Sequence, residues 1–182
     1  MSTSHSPIDL SDPVDVQDHT LGPAHAPVTL VEYGDFECPY CRHAEPAVKM
    51  LLQRFAGELR FAFRHYPMEE FHHHALLAAE AAECAGAQGR FWPMHDLLLD
   101  DPAHLQRKHL LAHAERLELD MPRFSTALDD HLYLQRVREH IDGAKRSHVR
   151  ATPSFFVNGR VQDVSFGLQA LRDAVEASLR GR

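Results

Sequence analysis

Two cysteines, Cys38 and Cys41, stand where an apolar run gives way to a helical pattern, and few folds accommodate that arrangement. The run over 28–33 predicts a strand, and apolar residues at spacings of three and four predict a helix over 39–56. A sulfur at a helix N-terminus faces unpaired backbone N–H groups and the positive end of the helix dipole, which favour a thiolate. Cys38 is therefore predicted to be acidic, and Cys41, one turn further in, to lie beneath it and be less exposed.

A redox role suits these cysteines better than a structural one. The chain-entropy model gives roughly 2 kcal/mol for a disulfide that closes so short a loop, against about 3 kcal/mol for a fifteen-residue loop. Cysteines with this spacing at a strand-to-helix turn favour a redox pair, and half of a zinc site is the alternative. Pro39 fits the first helical position, because its missing N–H costs nothing there and its φ already suits a helix.

Composition limits the classes of function. The 182 residues are 44% hydrophobic, which is enough for a sizeable core, and the net charge of −7 comes from interspersed acidic and basic residues. No nucleic-acid partner is expected for such a chain. Residues 1–17 lack the pattern of a signal peptide, and no stretch reaches the length of a membrane span. We therefore expect a cytoplasmic protein, in which a reactive cysteine pair is catalytic rather than architectural.

Changes in composition divide the chain into regions. Residues 1–24 are rich in Ser, Pro, Asp and His without periodicity, so a flexible or loosely docked arm is expected. Residues 25–70 contain the strand, the helix and a second strand over 59–66, which form a βαβ unit. Residues 71–148 show helical spacing, with helices predicted at 72–86, 90–99, 105–118 and 122–147.

Residues 149–182 return to a mixed pattern. The segments 154–157 and 160–164 predict two strands joined by Asn158-Gly159, the strongest sequence signal for a two-residue hairpin. A final helix is predicted over 168–179, with its leucines and valine on one face. The fold class is thus α/β, and the helical region is an inserted subdomain.

These segments together resemble the thioredoxin fold with the helical insertion of DsbA-type proteins. The resemblance covers roughly 18–180 and is carried by the segments 22–30, Glu32 to Cys41, 78–92 and Thr152 to Gly159. It implies a thiol-disulfide oxidoreductase that exchanges disulfides with protein or small thiol substrates. The redox centre it implies is the cysteine pair itself, without a bound cofactor, and with glutathione or another thiol as a possible electron donor.

The resemblance also implies roles for individual residues. Cys38 matches the exposed nucleophile, Cys41 the buried cysteine that resolves the mixed disulfide, and Glu32 the buried acid beneath the active site. Pro153 matches the family's cis-proline beside the disulfide. The backbone of Thr152, just before it, matches a contact for a bound peptide.

The chemistry of the site adds two expectations. Burial disfavours a charged carboxylate, so the pKa of Glu32 should be raised, and this group can then accept the proton that Cys41 must lose. Tyr40, between the cysteines, should be exposed and able to contact substrate. The Pro39-Tyr40 dipeptide resembles that of glutaredoxin, so a strongly oxidising potential is not implied.

Two other classes of protein stay open at this point. Glutathione-dependent transferases and isomerases of the kappa type share the inserted architecture but typically use a serine in place of the cysteine pair. A zinc-binding or peptide-binding module would use Cys38, Cys41 and a histidine. No metal site is expected among the fifteen histidines. His109 and His113 lack the glutamate of an HExxH motif, and the run His72 to His74 sends its side chains in different directions.

Overall fold

A five-stranded mixed sheet lies at the centre of the computed structural model, which describes residues 9–181. The strands are β1 (His19–Leu21), β2 (Val28–Gly34), β3 (Leu59–His65), β4 (Ser154–Val157) and β5 (Arg160–Gln162). Their order is β1-β3-β2-β4-β5, with β2 and β3 parallel and the other neighbours antiparallel. The apolar strand β2 is therefore central, as its sequence predicts.

The helices of the described part of the chain are α1 (Pro39–Arg54), α2 (Ala75–Gly86), α3 (Phe91–Asp100), α4 (Arg107–Arg116), α5 (Met121–Asp129), α6 (Leu134–Arg146) and α7 (Gln169–Arg180). α1 connects β2 to β3, and the five helices α2 to α6 lie between β3 and β4 in the chain. None of these seven helices is long and apolar enough to cross a membrane.

Alternation along β2 separates two apolar cores. Val28 and Leu30 belong to the larger core, which also contains the buried face of α1. Val31 and Tyr33 belong to a smaller core on the opposite face of the sheet. Because side chains alternate along a strand, Glu32 shares the face of Val28 and Leu30 and lies under α1.

The N-terminal segment 9–24 is docked on the sheet. Leu10 is buried in the smaller core, and β1 pairs with β3. The guanidinium of Arg64 donates to both carboxylate oxygens of Asp18, at 2.8 Å each. Of the two expectations for 1–24, a flexible or a loosely docked arm, the structure agrees with docking for 9–24, through partners that lie far away in the sequence, where composition gives no sign of them. Residues 1–8 lie outside the described residues.

Two boundaries also differ from the sequence prediction. The single helix predicted over 122–147 is two helices, because His131 has a φ of 52°, which a continuous α-helix cannot contain. The hairpin turn is as expected, with φ values of 48° at Asn158 and 79° at Gly159, as in a type I′ turn. β5, which follows it, ends at Gln162, two residues earlier than predicted.

Candidate active site

The two cysteines lie where β2 ends and α1 begins. The amide of Cys38 donates to the carbonyl oxygen of Asp35 at 3.1 Å and closes the turn between them. Cys38 is the N-cap residue of α1, and Cys41 lies in its first turn. The helix begins there because Pro39 occupies a position that needs no hydrogen-bond donor. Both cysteines are free thiols in this structure.

Cys38 has the character of a nucleophile. Hydrogen bonding from the Cys41 thiol lowers the pKa of Cys38 to about 5 against the opposing effect of burial, and the Thr152 side chain and the backbone N–H groups of Tyr40 and Cys41 contribute further. The thiolate is therefore the main form at neutral pH. Cys38 is only 4% exposed, less than the exposed position that the sequence led us to expect. The Thr152 segment lies over it, with the carbonyl oxygen 3.4 Å from the Cys38 sulfur.

Cys41 lies deeper, at 1% exposure. Burial raises its pKa well above the ordinary range of a thiol, and the hydrogen bond to Cys38 and the charge of Glu32 raise it further. The amide of Asp35 donates to its sulfur at 3.4 Å. Cys41 is therefore a thiol at neutral pH, and its proton must leave when it attacks.

Glu32 is the buried acid beneath the cysteines. It is 1% exposed, and its Oε1 atom has no hydrogen-bond partner among the described residues. Burial raises the pKa of this carboxyl well above its usual range, and the charges of Glu45 and Cys38 add to the increase. Because its pKa is raised, the Glu32 carboxylate binds a proton more readily than an ordinary carboxylate. It is therefore suited to exchange a proton with Cys41.

The remaining predicted residues border the thiols. The Thr152–Pro153 peptide bond is cis, and the Thr152 carbonyl oxygen lies 3.4 Å from the Cys38 sulfur, where it can accept a hydrogen bond from the thiol form. Tyr40 is 71% exposed, so its ring is available to a partner. Cys38 and Thr152 are thus in contact across a sequence separation of 114 residues.

Two acidic residues that were not predicted as part of the site organise its surroundings. Asp35 is 2% exposed, and its Oδ2 atom accepts hydrogen bonds from the Met68 amide at 2.8 Å and from His72 Nδ1 at 2.7 Å. Glu37 accepts the His74 amide at 2.9 Å. These bonds fasten the segment before α2 to the active-site turn. Their position beside Cys38 was the only signal in the sequence.

One buried cluster near the centre of the molecule has the composition of a metal site. Ligand atoms of His65, Glu83 and His140 lie within 4.8 Å of one another. However, Nδ1 of His140 accepts the His65 amide at 3.1 Å, so Nε2 of the neutral ring carries the hydrogen. A ring in that tautomer has no free lone pair for a metal ion.

A second cluster consists of Glu45, His95 and Asp96. Here the ammonium group of Lys49 lies 3.2 Å from Glu45 Oε1 and 3.3 Å from Asp96 Oδ2. A cation already bridges the two carboxylates, so this donor set does not favour a metal ion either. Neither cluster includes Cys38 or Cys41.

Comparison with known proteins gives a family and a context. A family model described as thioredoxin matches residues 15–177. The chain is 50% identical, over all 182 residues, to part of the Na⁺/H⁺ antiporter NhaA 1 of Salinispora arenicola. It is 41% identical, over 180 residues or 98% of its length, to part of the antiporter NhaA of Herminiimonas arsenicoxydans. The chain spans 28% of the length of each of these relatives.

Solved structures resemble nearly the whole chain. BdbD from Bacillus subtilis, in its oxidised form, superimposes with a TM-score of 0.80 and 26% identity over 90% of this chain and 93% of that one. A thioredoxin-like oxidoreductase from Silicibacter pomeroyi gives 0.78 and 26% over 91% and 94%. These matches confirm the α/β thioredoxin fold with inserted helices that the sequence predicted.

Proposed function

The chain belongs to the thioredoxin family, and we propose that it is an enzyme, a thiol-disulfide oxidoreductase that acts on protein or small-thiol disulfides. The observation that carries the proposal is the contrast between two sulfurs one helical turn apart. The pKa of Cys38 is lowered to about 5, whereas burial raises that of Cys41. One cysteine is ready to attack, and the other keeps its proton until it is needed.

In the first step, the Cys38 thiolate attacks one sulfur of a substrate disulfide. A bond forms between Cys38 and that sulfur, the substrate S–S bond breaks, and the other substrate sulfur leaves as a thiolate. The product is a mixed disulfide on Cys38. The Thr152 backbone, which lies against the Cys38 sulfur, is in place to contact the attached substrate.

In the second step, Cys41 attacks the Cys38 sulfur and releases the remaining substrate sulfur as a thiolate. The Cys41 proton passes to the carboxylate of Glu32, which is buried beneath the cysteines and close enough for its charge to act on Cys41. The enzyme ends as a Cys38–Cys41 disulfide, and the substrate has gained two electrons. The reverse sequence oxidises a dithiol substrate and reduces the enzyme.

Trapping the mixed disulfide tests this proposal. We expect Cys38→Ser to abolish reduction of insulin disulfides, and Cys41→Ser to accumulate a mixed disulfide on Cys38 that mass spectrometry detects. Cys84→Ser is the matched control, because Cys84 is buried in the apolar core and should leave the exchange unchanged. Full activity of Cys38→Ser would refute the proposal.

The two alternatives left open by the sequence are less well supported. A kappa-type transferase would not need the second cysteine, whereas here both are present with opposite pKa shifts. For a zinc module, a histidine would have to join the cysteines. The candidate metal clusters among residues 9–181 contain no cysteine. Metal analysis of the reduced protein checks this point, since stoichiometric zinc on Cys38 and Cys41 would restore that alternative.

We further propose that the enzyme works in the cytoplasm and beside a membrane transporter. The support for a transporter partner is the 50% identity to a segment of a Na⁺/H⁺ antiporter. Thiol trapping in intact cells tests the compartment, because a cytoplasmic pair should be mostly reduced. Co-purification with an antiporter of the same cell tests the partner, and its absence from the purified fraction would count against it.

A further inference from the structure

If Glu32 takes the proton of Cys41, as proposed above, Glu32 must then release it before it can act again. Glu32 is 1% exposed and lies under α1. Direct exchange with solvent is therefore slow, and a route through other polar groups is needed. This inference rests on the proposed function and concerns how the same site is reset.

Three residues on β2, α1 and α3 carry buried polar atoms without a hydrogen-bond partner within residues 9–181. The atoms are Oε1 of Glu32, Oε2 of Glu45 and Nε2 of His95, and each lacks a hydrogen-bond partner among the described residues. Glu45 is close enough to Glu32 for its charge to act on that carboxyl. Ligand atoms of Glu45 and His95 lie within 4.8 Å of each other, a separation that one bridging water spans. Buried polar atoms without a hydrogen-bond partner are rare in native proteins, and a catalytic role or a bound water is a common explanation for them.

The arrangement along α1 leads from the buried thiol to the surface. Cys41, Glu45 and Lys49 follow one another at intervals of four residues, so they lie on one face of the helix. Side-chain exposure rises along this face, from 12% at Glu45 to 49% at Lys49.

The histidine on α3 completes the connection. His95 is 1% exposed, and its Nδ1 lies 3.0 Å from Oδ1 of Asp96, whose side chain is 43% exposed. If Nδ1 donates to Asp96, Nε2 has the free lone pair of a proton acceptor. The other titratable groups around His95 are Glu45 and Lys49 from α1 and His65 from β3.

We propose that Glu45 and the His95–Asp96 pair form a proton pathway between Glu32 and solvent, and that His95 is a positioning residue for the resolving step. In the half-reaction that oxidises the enzyme, a proton passes from Cys41 to Glu32, then through Glu45 to Nε2 of His95. The Nδ1 proton leaves to Asp96 and solvent.

The pathway balances over a complete cycle. Oxidation of the enzyme sends one proton outward and leaves His95 with its hydrogen on Nε2. Reduction of the disulfide returns two electrons to the sulfurs, and the Cys41 thiolate then takes one proton back by the reverse route. His95 regains the Nδ1 hydrogen, so no additional reactant is needed.

Single-turnover kinetics can separate this pathway from the nucleophilic step. Reduced protein is mixed with oxidised glutathione at pH 5 to 8 and quenched with acid, and mass spectrometry follows the rise and decay of the glutathione adduct on Cys38. For His95→Gln we expect an unchanged rise and a decay slowed about tenfold, less than the roughly 10²–10⁴-fold contributed by a group that exchanges the proton directly. Added imidazole buffer should restore the decay rate.

The control is His113→Gln, another histidine with an unpartnered ring nitrogen, which lies on α4. Decay in His95→Gln as fast as in the wild type, or slow decay that imidazole does not restore, overturns the pathway. Should His95→Gln fail to fold, Asp96→Asn at a half-exposed position gives the same test. If the wild-type adduct never forms, the proposed function itself fails.

Discussion

At the scale of the residue, depth decides what the two active-site sulfurs do. Cys38 and Cys41 belong to one turn of one helix, yet their pKa values move in opposite directions. The first receives hydrogen bonds at the helix N-terminus, and the second is surrounded by the core and by the charge of Glu32. Burial of Glu32 raises its pKa, which favours proton transfer but makes the charged carboxylate unfavourable for stability.

Replacement of Glu32 by Gln should slow resolution of the mixed disulfide by roughly 10²-fold, the scale of general base catalysis. In the wild type the base is lost as the pH falls through the raised pKa of Glu32, so the rate declines at acid pH. The variant should lack that decline. Rapid-quench measurement of the decay across pH 5 to 9 checks this, and wild-type rates in the variant would contradict it.

A second prediction for Glu32→Gln concerns the stability of the folded protein. Because the pKa of Glu32 is higher in the folded protein than in the unfolded one, stability is greatest below the unfolded pKa and falls as the pH rises through the folded pKa. Glu32→Gln should therefore be more stable than the wild type at neutral pH in urea unfolding. Glu58→Gln, at an exposed position, is the control that should show no change.

At the scale of the element, one buried ion pair contributes to the docking of the N-terminal segment. The Arg64 guanidinium binds Asp18 with two hydrogen bonds, and the two side chains are 5% and 3% exposed. Arg64 also donates to the carbonyl oxygens of Asp12 and Pro13. This one side chain joins β3 to the segment that precedes β1.

We expect Asp18→Asn to lower the free energy of unfolding by about 3 kcal/mol, because it leaves a buried guanidinium without its counter-charge. Asp12→Asn is the matched control. The Asp12 carboxylate pairs with Arg146 at 2.6 Å, but the side chains are 43% and 57% exposed, so the loss should be at most about 1 kcal/mol. Urea unfolding checks both, and equal losses would argue against a special role for the buried pair.

At the scale of the whole molecule, histidines connect the sheet to the inserted helices. Glu83 of α2 accepts hydrogen bonds from His19 of β1 at 3.0 Å and from His65 of β3 at 2.8 Å. His140 of α6 accepts the His65 amide. The Glu83 carboxylate therefore joins α2 to β1 and β3. Its single negative charge can neutralise only one imidazolium.

Acid should consequently loosen the fold. Burial, followed by the charge of His65, lowers the pKa of His140 well below its ordinary range. The unfolded chain therefore binds this proton first, and stability falls as the pH drops below about 6.5. His140→Asn should make stability less dependent on pH between 7 and 5, by up to about 1.4 kcal/mol per pH unit. His25→Gln, at an exposed position, is the control for the loss of a histidine in the same urea titrations.

The reduction potential is also a property of the assembled molecule. The low pKa of Cys38, about 5, stabilises the reduced form. This pKa lies between the values of about 7 for thioredoxin and about 3.5 for DsbA. We expect a potential of about −200 mV, between their values of about −270 and −120 mV. Equilibration in glutathione redox buffers with thiol trapping measures it.

The matched variant for the potential is Thr152→Val. Its lost hydroxyl should raise the pKa of Cys38 and make the potential more negative, because the Thr152 side chain helps to lower that pKa. An unchanged potential in this variant would separate Thr152 from the tuning of the thiolate. A wild-type value at or below about −270 mV would show that the acidity of Cys38 does not control the redox balance.

Features that depend on neighbouring residues could be predicted from the sequence. The strand before Cys38, the helix that starts at Pro39 and the Asn158-Gly159 turn follow from periodicity of 2 or 3.6 residues and from the φ values that proline and glycine favour. The same local signals predicted the cysteine pair as the redox centre. They did not reveal the break at His131, where one predicted helix is two.

Contacts between side chains that are distant in the sequence depend on the tertiary packing. Asp18 and Arg64 are 46 residues apart in the chain, and His19 and Glu83 are 64 apart. The approach of His95 on α3 to Glu45 on α1 likewise depends on how two helices pack over the sheet. Local periodicity fixes which face of each helix is apolar but not which polar group it meets, because that depends on the packing of the complete core.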